Sequence, residues 1–185
     1  MKNPQRDRCT DCRREKHSYE RGCACYQYRQ ISGAVFRLKY EGRAEYADWM
    51  GNEMTGRLLE EFGEMHLDAL VPVPVSAKRE RKRGYNQAAL LAKVIGRNTG
   101  LSVREDFLLR RTDTAAMKGM SAAQRRVNLK KAFTAPSDDV KSKTIMLVDD
   151  IYTTGTTVDA CAAALKEAGA AAVYFVTLAI GEERT

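Results

Sequence analysis

The sequence predicts an α/β protein: an open, mostly parallel sheet flanked by helices, with a small cysteine-rich arm at the N-terminus. Three observations carry that expectation. From residue 66 onward, short apolar runs alternate with helical patterns. One run, "KTIMLVDD" (143–150), is apolar without a break until it meets two acids, as in a strand covered on both faces. Residues 1–25 are polar, carry four of the five cysteines and have little to bury. The division expected is an arm over 1–26 and one domain over 27–185.

From about Gln27 to Phe62 the pattern is helical. Ala44, Ala47, Met50, Met54 and Leu58 recur at steps of three and four, and Trp49 and Leu59 widen the stripe. "HLDALVPVPV" (66–75) reads as a strand running into a proline-closed loop. "SAKRERKRGYNQ" follows as a basic loop. "NQAALLAKVIGRNTG" is a helix with Ala88, Leu91, Ala92 and Ile95 on one face and Gly100 as its stop. "DFLLRRT" (106–112) is a short strand, and "SAAQRRVNLKKAF" a helix with Ser121 and Gln124 as a capping box. After the strand into Asp149-Asp150, "TTVDACAAALKEAG" is a helix with Val158, Cys161, Ala162, Leu165 and Ala168 on its stripe and Gly169 at its end. "AAVYFVTLAI" closes the sheet.

The chain has 185 residues, 44% hydrophobic and 30% charged, the balance of an ordinary globular domain. No apolar run approaches the ~20 residues of a membrane span, and the N-terminus lacks the apolar core of a secretory signal. Membrane insertion is not expected, and a cytoplasmic location is the default. The net charge is +7, clustered at Arg6–Arg14, Lys78–Arg83, Arg110-Arg111, Arg125-Arg126 and Lys130-Lys131. Such clusters suit phosphate-bearing partners, small or polymeric, or are solvated surface. Cys9, Cys12, Cys23 and Cys25 supply the four thiolates that a structural zinc takes; unmetallated pairs on a loose arm are the alternative. Cys161 lies on a helix stripe as a small core residue.

In open parallel sheets ligands bind beyond the carboxyl ends of strands. The Lys78–Arg83 segment and Asp149–Thr157 both lie there, on one edge. Thr153-Thr154-Gly155-Thr156-Thr157 enters a helix N-terminus, where unsatisfied N–H groups and the helix dipole favour an anion. Two adjacent carboxylates beside an anion cradle would repel the ligand unless they hold Mg²⁺ or accept hydrogen bonds from sugar hydroxyls. A ribose 5-phosphate suits both halves. A Walker loop is absent, and only 35 residues follow Asp150, too few for a receiver-type aspartate pocket.

"IMLVDDIYTTGTT" (145–157) resembles the phosphoribosyl pyrophosphate (PRPP) motif of type I phosphoribosyltransferases. "VPVPVSAKRERKRGYNQAALLAKVIG" (71–96), "MSAAQRRVNLKKAF" (120–133) and "FRLKYEGR" (36–43) resemble the ComF family, the competence-associated, amidophosphoribosyltransferase-like branch. That resemblance implies a type I phosphoribosyltransferase fold. Asp149 and Asp150 would contact the ribose diol and be the catalytic candidates. Thr153, Thr154, Gly155, Thr156 and Thr157 would wrap the 5-phosphate. Lys78 and Arg79, with Arg81 and Arg83, would meet the pyrophosphate and its Mg²⁺. Gly84–Gln87 would close the loop over the ligand.

The resemblance also implies binding of Mg-PRPP, pentosyl transfer, and a part in DNA uptake, natural transformation or DNA utilisation, with single-stranded DNA and the uptake machinery as partners. Its alternatives are a nucleotide-metabolism enzyme acting on a base or amine, and a non-catalytic PRPP-sensing module that binds single-stranded DNA. Two departures stand out. Thr153 occupies the place where purine-salvage enzymes carry an acid, and Met117 a place where the family has Gln. Cys9-x2-Cys12 resembles the second pair of the family's four-cysteine zinc finger, so the chain would begin partway through it, with Cys23 and Cys25 as substitutes.

Overall fold

A computed structural model of the chain describes residues 17–111 and 132–181. The expected helix over 121–133 and the departure at Met117 fall largely or wholly outside them, as do Cys9 and Cys12.

The fold is a parallel sheet between two helical layers. Its strands are β1 (Arg21–Gln27), β2 (Ala69–Pro72), β5 (Thr144–Tyr152) and β6 (Ala172–Ile180). The order is β1-β6-β5-β2, with every neighbouring pair parallel. Segment 102–104 extends the sheet at β2 through Leu70 N–H to Ser102 O and Arg104 N–H to Leu70 O, both 2.9 Å. A two-residue antiparallel pair, β3 (Leu109–Arg110) with β4 (Phe133–Thr134), stands apart.

Strand alternation sends successive side chains to opposite layers. On one face Ile145, Leu147, Val71 and Val173 pack with Val158, Cys161, Ala162 and Leu165 of helix α5 (Thr156–Glu167). On the other, Met146, Val148, Leu70 and Val176 pack with three helices: α1 (Tyr28–Tyr40), α2 (Tyr46–Phe62) and α4 (Gln87–Thr99). The apolar run before Asp149 is thus covered on both faces, as its composition requires.

The helix stripes read from sequence are buried, with corrections. Ala47, Met50, Met54 and Leu58 form the inner face of α2, but Trp49 and Leu59 are 45% and 52% exposed and point outward. The helical stretch from Gln27 is two helices, broken at Glu41–Glu45 around Gly42 at φ +68°. The basic segment expected as a loop is a short helix, α3 (Ala77–Arg83). Ser76 caps its start by accepting from Arg79 N–H, and Gly84 ends it in the left-handed region at φ +85°.

The largest correction is the boundary of the arm. Arg21–Gln27 is a full strand, paired with β6 from Arg21↔Tyr174 to Gln27↔Ile180. Cys23 and Cys25, expected as zinc ligands on the arm, stand at alternate positions of this strand and pack toward the α1–α2 layer. Burial pushes the Cys23 thiol up to about 12 and the Cys25 thiol up to about 11. The other two thiols of the expected set, Cys9 and Cys12, lie outside the described residues. The polar content of 21–27 hid the strand: Gly22 has no side chain, and the ring of Phe175 on β6 covers it.

A Cβ at Gly22 would run into that ring, which is stacked at 5.0 Å on Tyr152 and edge-on at 4.9 Å to Tyr19. Gly22→Ala should therefore destabilise the domain by about 1–3 kcal/mol, the cost of overpacking. Urea unfolding measures it. An unchanged midpoint would show that residues 21–27 are not part of the sheet.

Candidate functional site

The carboxyl ends of β2 and β5 open into one cleft of about 710 Å³. Its floor is Asp149 and Asp150. One wall is Val73–Val75 with Arg79, Lys82 and Arg83 of α3. The other is the end of α1, Lys39 and Tyr40, with Gly42. Arg110, Ile151, Thr153, Thr157 and the start of α4 complete the lining.

The two acids emerge where the helical layers part, and each turns to a different one. Asp150 is 8% exposed and takes Lys39 Nζ on Oδ2 at 2.9 Å. The two side chains are 11% and 18% exposed, so the pair is shielded from water. Surface pairs contribute about 0–1 kcal/mol. Breaking a buried pair by removing one partner costs about 3–5 kcal/mol, and this pair lies toward that end. Asp149 lies on the α5 side, where its charge is felt by the buried Cys161 thiol, and its Oδ1 accepts the Asp150 N–H at 2.8 Å. Burial first, and the neighbouring Asp150 charge second, push the Asp149 carboxyl up to about 8.

The loop after β5 is shaped by Gly155. It precedes α5 at φ +68°, and a Cβ there would strike the Tyr152 hydroxyl. No side chain caps α5, so the leading N–H groups of a twelve-residue helix face outward. The Thr154 and Thr156 hydroxyls bond each other at 2.8 Å, while Thr153 and Thr157 line the cleft. From behind, Tyr152 Oη meets Tyr19 Oη at 2.9 Å, and Asp159 in the first turn of α5 accepts Ser18 N–H at 2.6 Å.

Across the cleft, the residues after α3 fasten it. Tyr85 Oη donates to Leu38 O of α1 at 2.7 Å. Asn86 Nδ2 donates to Val73 O at 3.1 Å, and its Oδ1 caps Ala88 N–H at 3.1 Å. Gln87, 1% exposed, accepts from Arg83 Nη1 at 2.7 Å. The Arg83 guanidinium lies 5.3 Å from the centroid of the Tyr40 ring.

The structure thus brings Asp149, Asp150, Thr153, Thr157, Arg79 and Arg83 to one cavity. Thr154, Gly155 and Thr156 shape its loop without lining it, and Lys78 and Arg81 lie on α3 off the cleft. Three lining cations were not named as site residues: Lys82 and Arg110 were read only as members of basic clusters, and Lys39 only inside the quoted "FRLKYEGR" block.

The Phosphoribosyl transferase domain family model matches residues 75–185. Competence protein F of Haemophilus influenzae is 35% identical over 104 residues, 55% of this chain and 45% of that protein. Competence protein ComFC of Bacillus subtilis is 28% identical over 171 residues, 89% of this chain and 68% of that protein. DNA utilization protein YhgH of Salmonella typhimurium is 30% identical over 169 residues, 89% of this chain and 74% of that protein. The chain belongs to the ComF family. It spans about half the length of the Haemophilus protein and about three quarters of the Salmonella one. The fold of this ComF-family chain is that of the type I phosphoribosyltransferases. An allosteric regulatory enzyme of purine biosynthesis superposes on 77% of the chain, and 29% of that enzyme's, with a TM-score of 0.52 at 21% identity.

The raised Asp149 carboxyl has a consequence for stability. The folded chain keeps this proton up to about pH 8, whereas an unfolded carboxyl near 3.8 has already lost it. The native state binds more protons in that window, so stability falls as pH rises from about 4 to about 8, then levels off. One proton gives a slope of up to about 1.4 kcal/mol per pH unit. Asp149→Asn should flatten the fall and leave the variant the more stable chain at pH 8. Urea unfolding at pH 5 and pH 8 checks it; parallel curves for variant and wild type would refute the assignment.

Proposed function

We propose that this chain binds Mg-PRPP in the cleft and transfers or senses its phosphoribosyl group in the handling of DNA. The observation that carries this reading is the meeting of an acid pair, an uncapped helix N-terminus and a cationic helix around one cavity. Each suits a different part of one ligand. Asp149 and Asp150 accept from the ribose 2- and 3-hydroxyls. Thr153, Thr157 and the leading N–H groups of α5 hold the 5-phosphate, with Thr154, Gly155 and Thr156 shaping the turn. Arg79, Lys82 and Arg83 face the pyrophosphate.

When the C1–O bond breaks, negative charge grows on pyrophosphate and positive charge on the sugar ring. Fixed cations stabilise the first and the acid pair the second, so no covalent nucleophile is needed. Magnesium bound with the substrate would neutralise part of the pyrophosphate's negative charge, beside Arg79, Lys82 and Arg83.

The names of the relatives support a part in DNA uptake, natural transformation or DNA utilisation. No helix among the described residues is long and apolar enough to cross a membrane, and we place the work in the cytoplasm. Lys78 and Arg81 favour a second activity. They lie on α3 off the cleft, so they leave a basic face for single-stranded DNA and the uptake machinery while PRPP occupies the other side.

Calorimetry with Mg-PRPP tests the reading. Binding should appear in the wild type and vanish in Asp149→Asn/Asp150→Asn; a silent wild type would end it. Single-stranded DNA should bind with a steep salt dependence, which neutralising Lys78 and Arg81 flattens while PRPP binding persists. Release of pyrophosphate with a nucleobase or amine separates turnover from sensing.

A further inference from the structure

Lys39 belongs to the Phe36–Arg43 block, and nothing above gives it a role toward a ligand. It stands one residue before the C-terminal end of α1, on the wall that faces α3. Its ammonium is 2.9 Å from Asp150 Oδ2, one of the two carboxylates assigned to the sugar hydroxyls. Free protein and bound ligand therefore compete for the same acceptor.

We propose that Lys39 makes the site select a pyrophosphorylated ribose over a ribose carrying the 5-phosphate alone; this rests on the reading of the cleft as a PRPP site. Sugar hydroxyls that approach Asp150 draw its carboxylate away from Lys39. The Lys39 side chain is only 18% exposed, so water compensates a lost partner poorly. A ligand that brings an anion to the same wall restores a partner. Ribose 5-phosphate brings its anion to the Thr153–Thr157 loop and leaves Lys39 short. PRPP also brings the pyrophosphate, on the side where Arg83 lies over Tyr40, the residue next to Lys39. The cost of loosening the pair is thus common to both ligands, and the compensation belongs to one. Lys39 discriminates through that difference.

Calorimetry on the full chain measures Mg-PRPP and ribose 5-phosphate with wild type, Lys39→Met and Lys39→Arg. Wild type should prefer PRPP. Lys39→Met should narrow the preference for PRPP over ribose 5-phosphate by at least about tenfold, the amount a charge-assisted hydrogen bond supplies, through tighter ribose 5-phosphate, weaker PRPP or both. Lys39→Arg, which keeps the charge, should keep most of the preference. Should Lys39→Met prove unfolded by circular dichroism, Lys39→Gln replaces it, since it retains a donor for Asp150 without the charge. Equal weakening of both ligands in the neutral variant, or an arginine variant that behaves like it, overturns the inference and leaves the PRPP reading standing. A wild type that binds no PRPP overturns both.

Discussion

The architecture depends on a strand that can be dry on both faces for only part of its length. From Ile145 to Val148 every side chain of β5 enters one of two apolar layers, and each is fully buried. At Asp149 the layers part, and the next two side chains are carboxylates. Buried charge is tolerated only with partners. Asp150 finds one in Lys39, and the Asp149 carboxyl is pushed up by burial and by the Asp150 charge. Both solutions are unfinished in a way that suits a binding site. A ligand with two hydroxyls can supply what the protein has withheld.

The same economy explains the basic side. Five cations within seven residues of α3 would repel one another in a loop. As a helix they are spread around an axis, and each end is fixed by a residue chosen for it: Ser76 at the start, Gly84 at the end. Tyr85 and Asn86 then tie the exit to α1 and to the end of β2. The "RGYNQ" stretch thereby sets how α3 stands against the α1 wall. Arg79, Lys82 and Arg83 reach the cleft because the helix has been placed there, and Lys78 and Arg81 are turned away by the same geometry.

Legibility in the sequence followed apolar content. β2, β5, β6, α4 and α5 were readable because burial imposes a period or a continuous run. The acid pair and the Thr/Gly loop were readable because their chemistry is local. β1 was not. A strand at the sheet edge needs few apolar residues, and "RGCACYQ" meets the sheet through backbone bonds, two cysteines and a glycine covered by a ring from β6. Lys39 was hidden for a different reason. Its partner Asp150 lies 111 positions away, and no helical period in α1 marks a lysine that turns inward at the last turn. Trp49 and Leu59 erred in the opposite sense: apolar residues at stripe spacing that the packing left outside.

Moving the boundary of the arm changes what braces the Thr153–Thr157 loop. Gly155 is held in its left-handed turn by a hydroxyl pair, Tyr152 to Tyr19, with Phe175 stacked on the Tyr152 ring and edge-on to Tyr19. Ser18 adds a 2.6 Å bond to Asp159 in the first turn of α5, and Glu20 a 2.7 Å pair to Lys166 in its last. The segment leading into β1 therefore runs along α5 from end to end. With residues 1–26 as a loose arm, the Thr153–Thr157 loop would rest on α5 alone. With β1 in the sheet, the loop is pressed from behind by a chain fixed at both ends. On the reading of that loop as an anion cradle the support matters, because backbone N–H groups stabilise charge only if their dipoles are already aimed before the ligand arrives.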